Sequence, residues 1–450
     1  MVHPEIRLST REKVQLLWLV PLVLFRTVLS SVFGVLTDKS AARHPIRTVG
    51  VNLLRHVTLT LSFRQRLAGD VLSTGDAVAA FCASRKLAHS AIPVPVPAAG
   101  RGDRASTFHA PAIPDATLHL ITVNSSPSNP APSAASSSAS NRTLLYLHGG
   151  GFAHPINSQG QIPLAQRCAE ALASSSSHPG STTTLAILEY HLAPAHRYPT
   201  QLAQSLAALR TLVTGGTGFA PVPPEQIVLL GDSAGGNLLL GVLAALKAGR
   251  APRGVGDEVV AWWRQSAEGG IMRPLAAAVA VCPWCGLGEY GGRGAGSSYE
   301  RNARWDFLYV KEMEDLEEAV GMGRARGVVW GDMVGAAKAR KVEEENGDEE
   351  WEGEERGEWG AEFWSGVVRG EGRVVERMLV SVGTREVFLD DVVEFVGLMG
   401  AGQEDGEDDG KVVFVKGPNE VHVGPVVDVA LGINDDEGSL PAILSFFKGL

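Results

Sequence analysis

Ile227-Val228-Leu229-Leu230 is an uncharged aliphatic run that passes directly into Gly231-Asp232-Ser233-Ala234-Gly235, and an apolar helical pattern then continues to Lys247. Its reading is a buried strand, a sharp turn and a long helix, with one serine at the turn. This context gives the G-x-S-x-G pattern its meaning. A strained turn lifts the Ser233 hydroxyl above a sheet, and glycines on either side avoid Cβ clashes where strand and helix cross. The N-terminus of the helix favours negative charge developing beside the hydroxyl. Ser233 is therefore the candidate nucleophile.

Working outward, strands alternate with helices. Thr143 to Leu147, Thr184 to Glu189, Leu275 to Cys282, Arg377 to Val382 and Lys411 to Val415 read as further strands. Gln201 to Val213, Val387 to Leu398 and Leu440 to Phe447 read as helices. The alternation predicts an α/β fold, a mostly parallel sheet with helices on both faces. Between Gly286 and Glu376 the strand signal disappears for too long to be an ordinary loop. Helical stretches Asp306 to Gly321 and Asp332 to Lys341 flank an acidic tract at Glu343 to Glu358 there, which predicts a helical cap with a solvated, disordered acidic loop. The expected organisation is an apolar segment at 1–40, a helical or cap region at 41–123, a Ser/Pro-rich linker at 124–142, a first core part at 143–285, the cap insertion at 286–375 and a second core part at 376–450.

The strand Thr143 to Leu147 ends in His148-Gly149-Gly150-Gly151-Phe152. Acyl transfer creates an oxyanion that needs preorganised N–H donors, and glycine backbone can turn its amides inward. Gly149 and Gly150, with Ala234 as a third donor, are the expected oxyanion hole. His148 and Asp232 are expected to brace these loops rather than to react. A base must follow, and His422 is the single histidine beyond Ser233, in a loop after a predicted strand.

With these motifs in hand, the chain resembles the hormone-sensitive-lipase-like branch of the α/β-hydrolases. His148 to Gly151, Gly231 to Gly236 and Glu189-Tyr190-His191-Leu192-Ala193-Pro194-Ala195-His196-Arg197-Tyr198-Pro199 carry the match, with Pro283-Trp284 after a central strand. His191 and Ala195 stand where that branch usually has Arg and Glu, which removes a charged network. The resemblance implies an α/β-hydrolase fold with a helical cap, and looks closest to fungal-type esterases of small acyl esters, including steryl acetates. It also implies an acid between Ser233 and His422. Spacing against the family pattern puts it at Glu386, on the loop after the strand Arg377 to Val382, with Asp390 and then Asp391 as alternatives. The expected activity is that of a serine carboxylic ester hydrolase on a hydrophobic small-acyl ester. Amide hydrolysis or acyl transfer would use the same groups, and the reading from another class is a catalytically inactive binding or scaffold protein on the same fold.

Apolar residues make up 44% and charged residues 20% of the chain, which excludes collagen-like, coiled-coil and wholly disordered classes. Four cysteines are too few for a disulfide framework. Cys282-Pro283-Trp284-Cys285 sits at a strand end rather than a helix N-terminus and lacks a second ligand pair, so neither redox nor metal chemistry is expected, and no cofactor. The net charge of −10 conceals a basic start. Up to Arg66 only Glu5, Glu12 and Asp38 oppose Arg7, Arg11, Lys13, Arg26 and their successors. No nucleic-acid motif accompanies that arm, so the expected partners are a small-molecule ester and a membrane surface. The uncharged blocks Val14 to Phe25 and Thr27 to Thr37 are interrupted by Arg26 and contain Pro21. They predict membrane association, at the endoplasmic reticulum, with a cytoplasmic or secreted location as the alternative. Nothing in the sequence speaks to oligomeric state.

Overall fold

The computed structural model describes residues 2–3, 5–97, 113–124, 142–175, 182–216, 219–251, 255, 257–268, 273–286, 293–321, 332–334, 359–401 and 409–450. Its centre is an eight-stranded sheet in the order β1-β2-β4-β3-β5-β6-β7-β8. The strands are β1 (His89–Val94), β2 (Ala116–Asn124), β3 (Arg142–Leu147), β4 (Thr182–Glu189), β5 (Ile227–Asp232), β6 (Ala277–Val281), β7 (Met378–Gly383) and β8 (Val412–Gly417). β1–β2 and β2–β4 pair antiparallel, and every later pairing is parallel. The central strands β5, β6 and β7 are buried at every position, as a sheet covered on both faces requires.

Helices α1 (Thr10–Thr37), α2 (Lys39–Arg43), α3 (Pro45–Thr60), α4 (Phe63–Leu67) and α5 (Thr74–Arg85) precede the sheet. Within it come α6 (Gln161–Ser174), α7 (Thr200–Thr214), α8 (Ala234–Ala248), α9 (Glu258–Glu268), α10 (Ser298–Arg301), α11 (Val310–Val320), α12 (Ala361–Val368), α13 (Leu389–Leu398), α14 (Gly424–Leu431) and α15 (Ser439–Lys448). Two hydrophobic clusters divide by sheet face. One joins α7, α8, α12 and α13, around residues such as Leu206, Leu243, Trp364 and Phe395. The other joins α5, α6 and α15, around Phe81, Ile162 and Phe447.

The six strands read from sequence are present, with ends shifted by up to two residues. The 41–123 stretch needs correction: it is helical only to Arg85, and its β1 and β2 are strands of the main sheet. The sheet thus begins before 143. β1 carries Pro93 and sits at the sheet edge, where a missing N–H is tolerated, but its irregular burial gives no alternation to read. Most of the 124–142 linker, the acidic tract at Glu343 to Glu358 and the predicted helix beyond Val334 fall outside the described residues.

The N-terminal blocks form one helix. α1 runs unbroken through Pro21 and Arg26, starts on a Ser9–Glu12 capping box, and is long and apolar enough to cross a membrane. Its buried residues are Val23, Thr27 and Ser31, which face α3, while Leu17, Trp18, Phe25 and Phe33 point outward.

Candidate active site

Strand β5 and helix α8 meet at Ser233, whose backbone lies at φ 53°, ψ −120°. That φ is rare for a residue with a Cβ, and neighbouring bonds hold it: Ser233 N–H donates to Val281 O at 2.9 Å and Trp284 N–H to Ser233 O at 3.1 Å. A Cβ on Gly235 would collide with Leu147 O, so glycine is what lets α8 start against the end of β3.

Around this turn the structure brings together residues far apart in sequence. Ser233 Oγ donates to His422 Nε2 at 2.8 Å, and His422 Nδ1 donates to Glu386 Oε1 at 2.6 Å. Glu386 follows β7 and is wholly buried, and its second oxygen accepts Gly383 N–H at 2.9 Å. His422 follows β8 and stands edge-on to Phe388 with ring centroids 4.9 Å apart. Burial disfavours charge on His422, but the Glu386 carboxylate against it, helped by Asp306 and Asp232, raises its pKa above the ordinary 6.5.

The alternative acids lie elsewhere. Asp390, in the first turn of α13, accepts Ser298 N–H and an Arg301 N–H, both at 2.7 Å. Asp391 accepts the Tyr299 hydroxyl at 3.1 Å. Neither has a hydrogen bond to His422 among the described residues.

One expected oxyanion donor is corrected. Gly149 N–H donates to Asp232 Oδ1 at 3.0 Å, so its amide is spent on a carboxylate. Gly150 and the next glycine, Gly151, show no such bond among the described residues. Ala234, as the first residue of α8, has an amide without an intrahelical acceptor. Asp232 also accepts the Tyr146 hydroxyl at 2.6 Å and Gln161 Nε2 at 2.8 Å, which ties β3, α6 and the glycine loop together. Burial raises its pKa, against the pull of these three donors. His148 has no hydrogen bond to Ser233 or His422 among the described residues. Its ring stacks on Tyr190 at 4.3 Å and takes a hydrogen bond from Thr74 Oγ1 at 3.2 Å, and burial lowers its pKa to about 4.

Sequence reasoning missed Asp306. Its buried carboxylate accepts Val387 N–H at 2.8 Å on one oxygen and His422 N–H at 3.3 Å on the other, fastening the acid loop to the base loop. Burial raises its pKa to about 6. Asn302 adds a bond from Nδ2 to Glu386 O at 2.8 Å. Both residues lie in the stretch read only as cap, and no spacing rule links them to β7 or β8. In the same cap, Leu316 of α11 lies over Gly151, and Glu312 pairs with Arg66 of α4.

Around His191 the polar contacts come from side-chain amides. Gln204 Oε1 accepts His191 N–H at 2.8 Å, and Gln201 Nε2 donates to His191 O and His196 O at 2.9 and 2.6 Å. Cys282 and Cys285 are buried free thiols. Cys282, Glu386 and His422 offer ligand atoms within 4.8 Å of one another, yet burial and the Glu386 charge push the Cys282 thiol well above its ordinary pKa. Glu386 Oε1 and both ring nitrogens of His422 are moreover engaged with one another and with Ser233, so this donor set serves the proton relay rather than a metal. The cavity lined by His89, Thr143, Thr184 and Gln226 lies at the opposite end of the strands from Ser233.

A family profile described as alpha/beta hydrolase fold matches residues 144–327. The nearly parallel sheet, with Ser233 at the β5–α8 turn, has the same architecture. This chain has the α/β-hydrolase fold. The chain is 30% identical over 177 residues to an acetyl-hydrolase of Streptomyces hygroscopicus, covering 39% of this chain and 46% of that one. It is 32% identical over 104 residues to human arylacetamide deacetylase-like 2, covering 22% and 23%. It thus spans less than half the length of these curated relatives. Among solved structures, an esterase from the bacterial hormone-sensitive lipase family superposes with a TM-score of 0.50 at 17% identity, covering 90% of this chain and 97% of the other. These matches agree with the α/β-hydrolase fold that the resemblance implied.

Proposed function

We propose that this α/β-hydrolase is a serine carboxylic ester hydrolase acting on a hydrophobic ester with a small acyl group. The observation that carries the reading is the unbroken chain Ser233–His422–Glu386, with hydrogen bonds of 2.8 and 2.6 Å. In this mechanism His422 Nε2 takes the Ser233 proton as Oγ attacks the carbonyl carbon. Glu386 holds the Nδ1–H tautomer and stabilises the imidazolium that forms. The oxyanion is received by the amides of Gly150, Gly151 and Ala234, Gly149 being engaged by Asp232. His422 then gives its proton to the leaving alcohol, and water, activated by the same imidazole, releases the acid from the acyl-enzyme. The similarity to an acetyl-hydrolase and a deacetylase-like protein favours acetyl as the acyl group. The proposal includes attachment to a membrane through α1, which supports a poorly soluble alcohol half.

The test is covalent labelling by a fluorophosphonate probe. Wild-type protein labels and cleaves nitrophenyl acetate faster than nitrophenyl palmitate. Ser233→Ala does neither, with an unchanged melting temperature. Labelling that persists in Ser233→Ala removes the nucleophile assignment, and a folded wild-type protein that neither labels nor cleaves any ester of the panel removes the enzyme reading.

A further inference from the structure

The polarity of α1 is turned inside out. Against the body it sets Val23, Thr27 and Ser31, while Leu17, Trp18, Val28 and Leu36 are each more than 60% exposed. Two of its inner hydroxyls are met by α3, where Ser30 Oγ bonds His56 Nε2 at 2.9 Å and Asn52 Nδ2 donates to Ser31 Oγ at 3.1 Å, while Thr27 Oγ1 donates to Val23 O within α1 at 2.8 Å. α3 continues the same outer surface with exposed Ile46, Val49, Leu53 and Leu54. Side by side, the two helices present one broad apolar face, far beyond the scattered exposed leucines of an ordinary surface.

We infer that α1 and α3 together form an in-plane docking platform for an anionic phospholipid bilayer, with α1 lying on the membrane rather than crossing it. Two features favour this over a span. To cross, α1 would have to leave α3, stripping the Ser30–His56 and Asn52–Ser31 bonds and placing Arg26 within the hydrocarbon. Lying flat, Arg26 reaches the headgroups along its apolar stem. Charge complementarity selects the occupant, since exposed Arg7, Arg11 and Lys13 stand at one end of α1 and Lys39 just beyond the other.

The platform is joined to the site beneath it. Val51 on the inner side of α3 packs with Val421 and Val427, which flank His422 in sequence. Arg55 Nη1 donates to Asp306 O at 2.7 Å, and Thr58 Oγ1 to Phe307 O at 2.8 Å. The surface that meets lipid is therefore the back of the helix that roofs the base loop, which brings the site to the bilayer where an insoluble ester is dissolved.

This inference rests on the attachment reading, and the experiment separates the two. Full-length protein is sedimented with vesicles of phosphatidylcholine and phosphatidylserine. Wild type co-sediments, and Leu53→Asp, a change on α3 alone, lowers binding at least about tenfold while melting like wild type. Equal binding by that variant overturns the platform and leaves an anchor made by α1 alone. Failure of wild type to bind overturns the attachment as well. Dimerisation abolished by Leu53→Asp without vesicle binding assigns the face to a second copy and overturns the proposal. Independently of that variant's folding, Arg7→Cys and Lys39→Cys chains in microsomes are treated with a membrane-impermeant maleimide, the native thiols being buried. The platform puts both ends of α1 on one side, so both label or both are protected. One labelled and one protected end means a span and overturns it.

Discussion

Replacing Glu386 by Gln keeps the shape of the side chain and removes the one property the His422 loop depends on. Oε1 accepts His422 Nδ1–H at 2.6 Å and Oε2 accepts Gly383 N–H at 2.9 Å, so both oxygens are acceptors. A glutamine has only one acceptor for these two donors. If its oxygen stays with His422, its NH2 group meets Gly383 N–H, and a buried donor is left unpaired at a cost of about 1–3 kcal/mol. If the NH2 group faces His422 instead, Nδ1 becomes the acceptor, the proton moves to Nε2, and Nε2 can no longer take the Ser233 proton. Both orientations also lose the negative charge that steadies the imidazolium. The expected fall in kcat is on the order of 10⁴, or roughly 5–6 kcal/mol of transition-state stabilisation. Residual activity carries a second signature. Glu386 is a principal cause of the raised His422 pKa, so without it the acid limb of kcat/KM moves to lower pH. The assay is nitrophenyl acetate hydrolysis across pH, normalised to correctly folded protein by circular dichroism and melting. Asp390→Asn is the control, because that carboxylate bonds Ser298 N–H and the exposed Arg301. It should change kcat by no more than a fewfold. A Glu386→Gln enzyme with near-normal kcat, or an inactive but folded Asp390→Asn, refutes the reasoning.

Two further predictions concern the glycine loop and the protein's response to pH. In Gly151→Ala the added methyl would lie 2.6 Å from Leu316 Cδ2 at a residue with φ +59°, so about 1–2 kcal/mol of backbone strain joins a steric clash. kcat/KM should fall by about ten- to a hundredfold as the oxyanion loop shifts. Adding Leu316→Ala should recover part of it, and a double variant no better than the single one removes the packing argument. Glu420 is buried against Ser439, and burial raises its pKa to about 7 from an ordinary 4.5. A folded-state pKa above the unfolded value gives stability that is full below about 4.5 and is lost as pH rises through about 7. Glu420→Gln, which keeps the shape and cannot ionise, should therefore gain on wild type by on the order of 3 kcal/mol between pH 5 and pH 8. Paired thermal melts at those pH values check it, and a wild-type-to-variant gap that stays constant with pH refutes it.

How far the site was legible depends on whether its parts are local in sequence. The Ser233 turn was readable because strand, glycines and helix are consecutive, so one short window holds the whole physical requirement. His422 was readable by elimination, since no other histidine follows Ser233. Glu386 needed a family pattern, because Asp390 and Asp391 are equally acidic, and only packing reveals that α13 turns them towards Ser298 and Tyr299. The oxyanion loop was read one residue too early for a similar reason. A run of three glycines carries no mark of which amide Asp232 will claim, and that bond spans 83 residues. β1 was missed because a strand with proline at a sheet edge lacks the alternating burial that periodicity detects.

Asp306 shows the limit most clearly. It is an ordinary aspartate in an irregular stretch, yet the fold uses it to join the loops after β7 and β8 and, through its own carbonyl, α3. A buried carboxylate of this kind is costly unless its oxygens are filled, and backbone amides from two distant loops fill them. Ser233 and His422 can be named from sequence because each must be a particular residue type in a particular place, and the acid can be narrowed to a few carboxylates. The residue that holds them in register need only be an acceptor in the right place, and that place exists only once the chain has folded. Asp306 thereby connects the apolar outer helices to the base loop, so movement of α3 on a surface has a covalent and hydrogen-bonded route to His422. On the platform proposal, the separation of anchor from chemistry at residue 40 falls too early, since α3, beyond that boundary, would share in both.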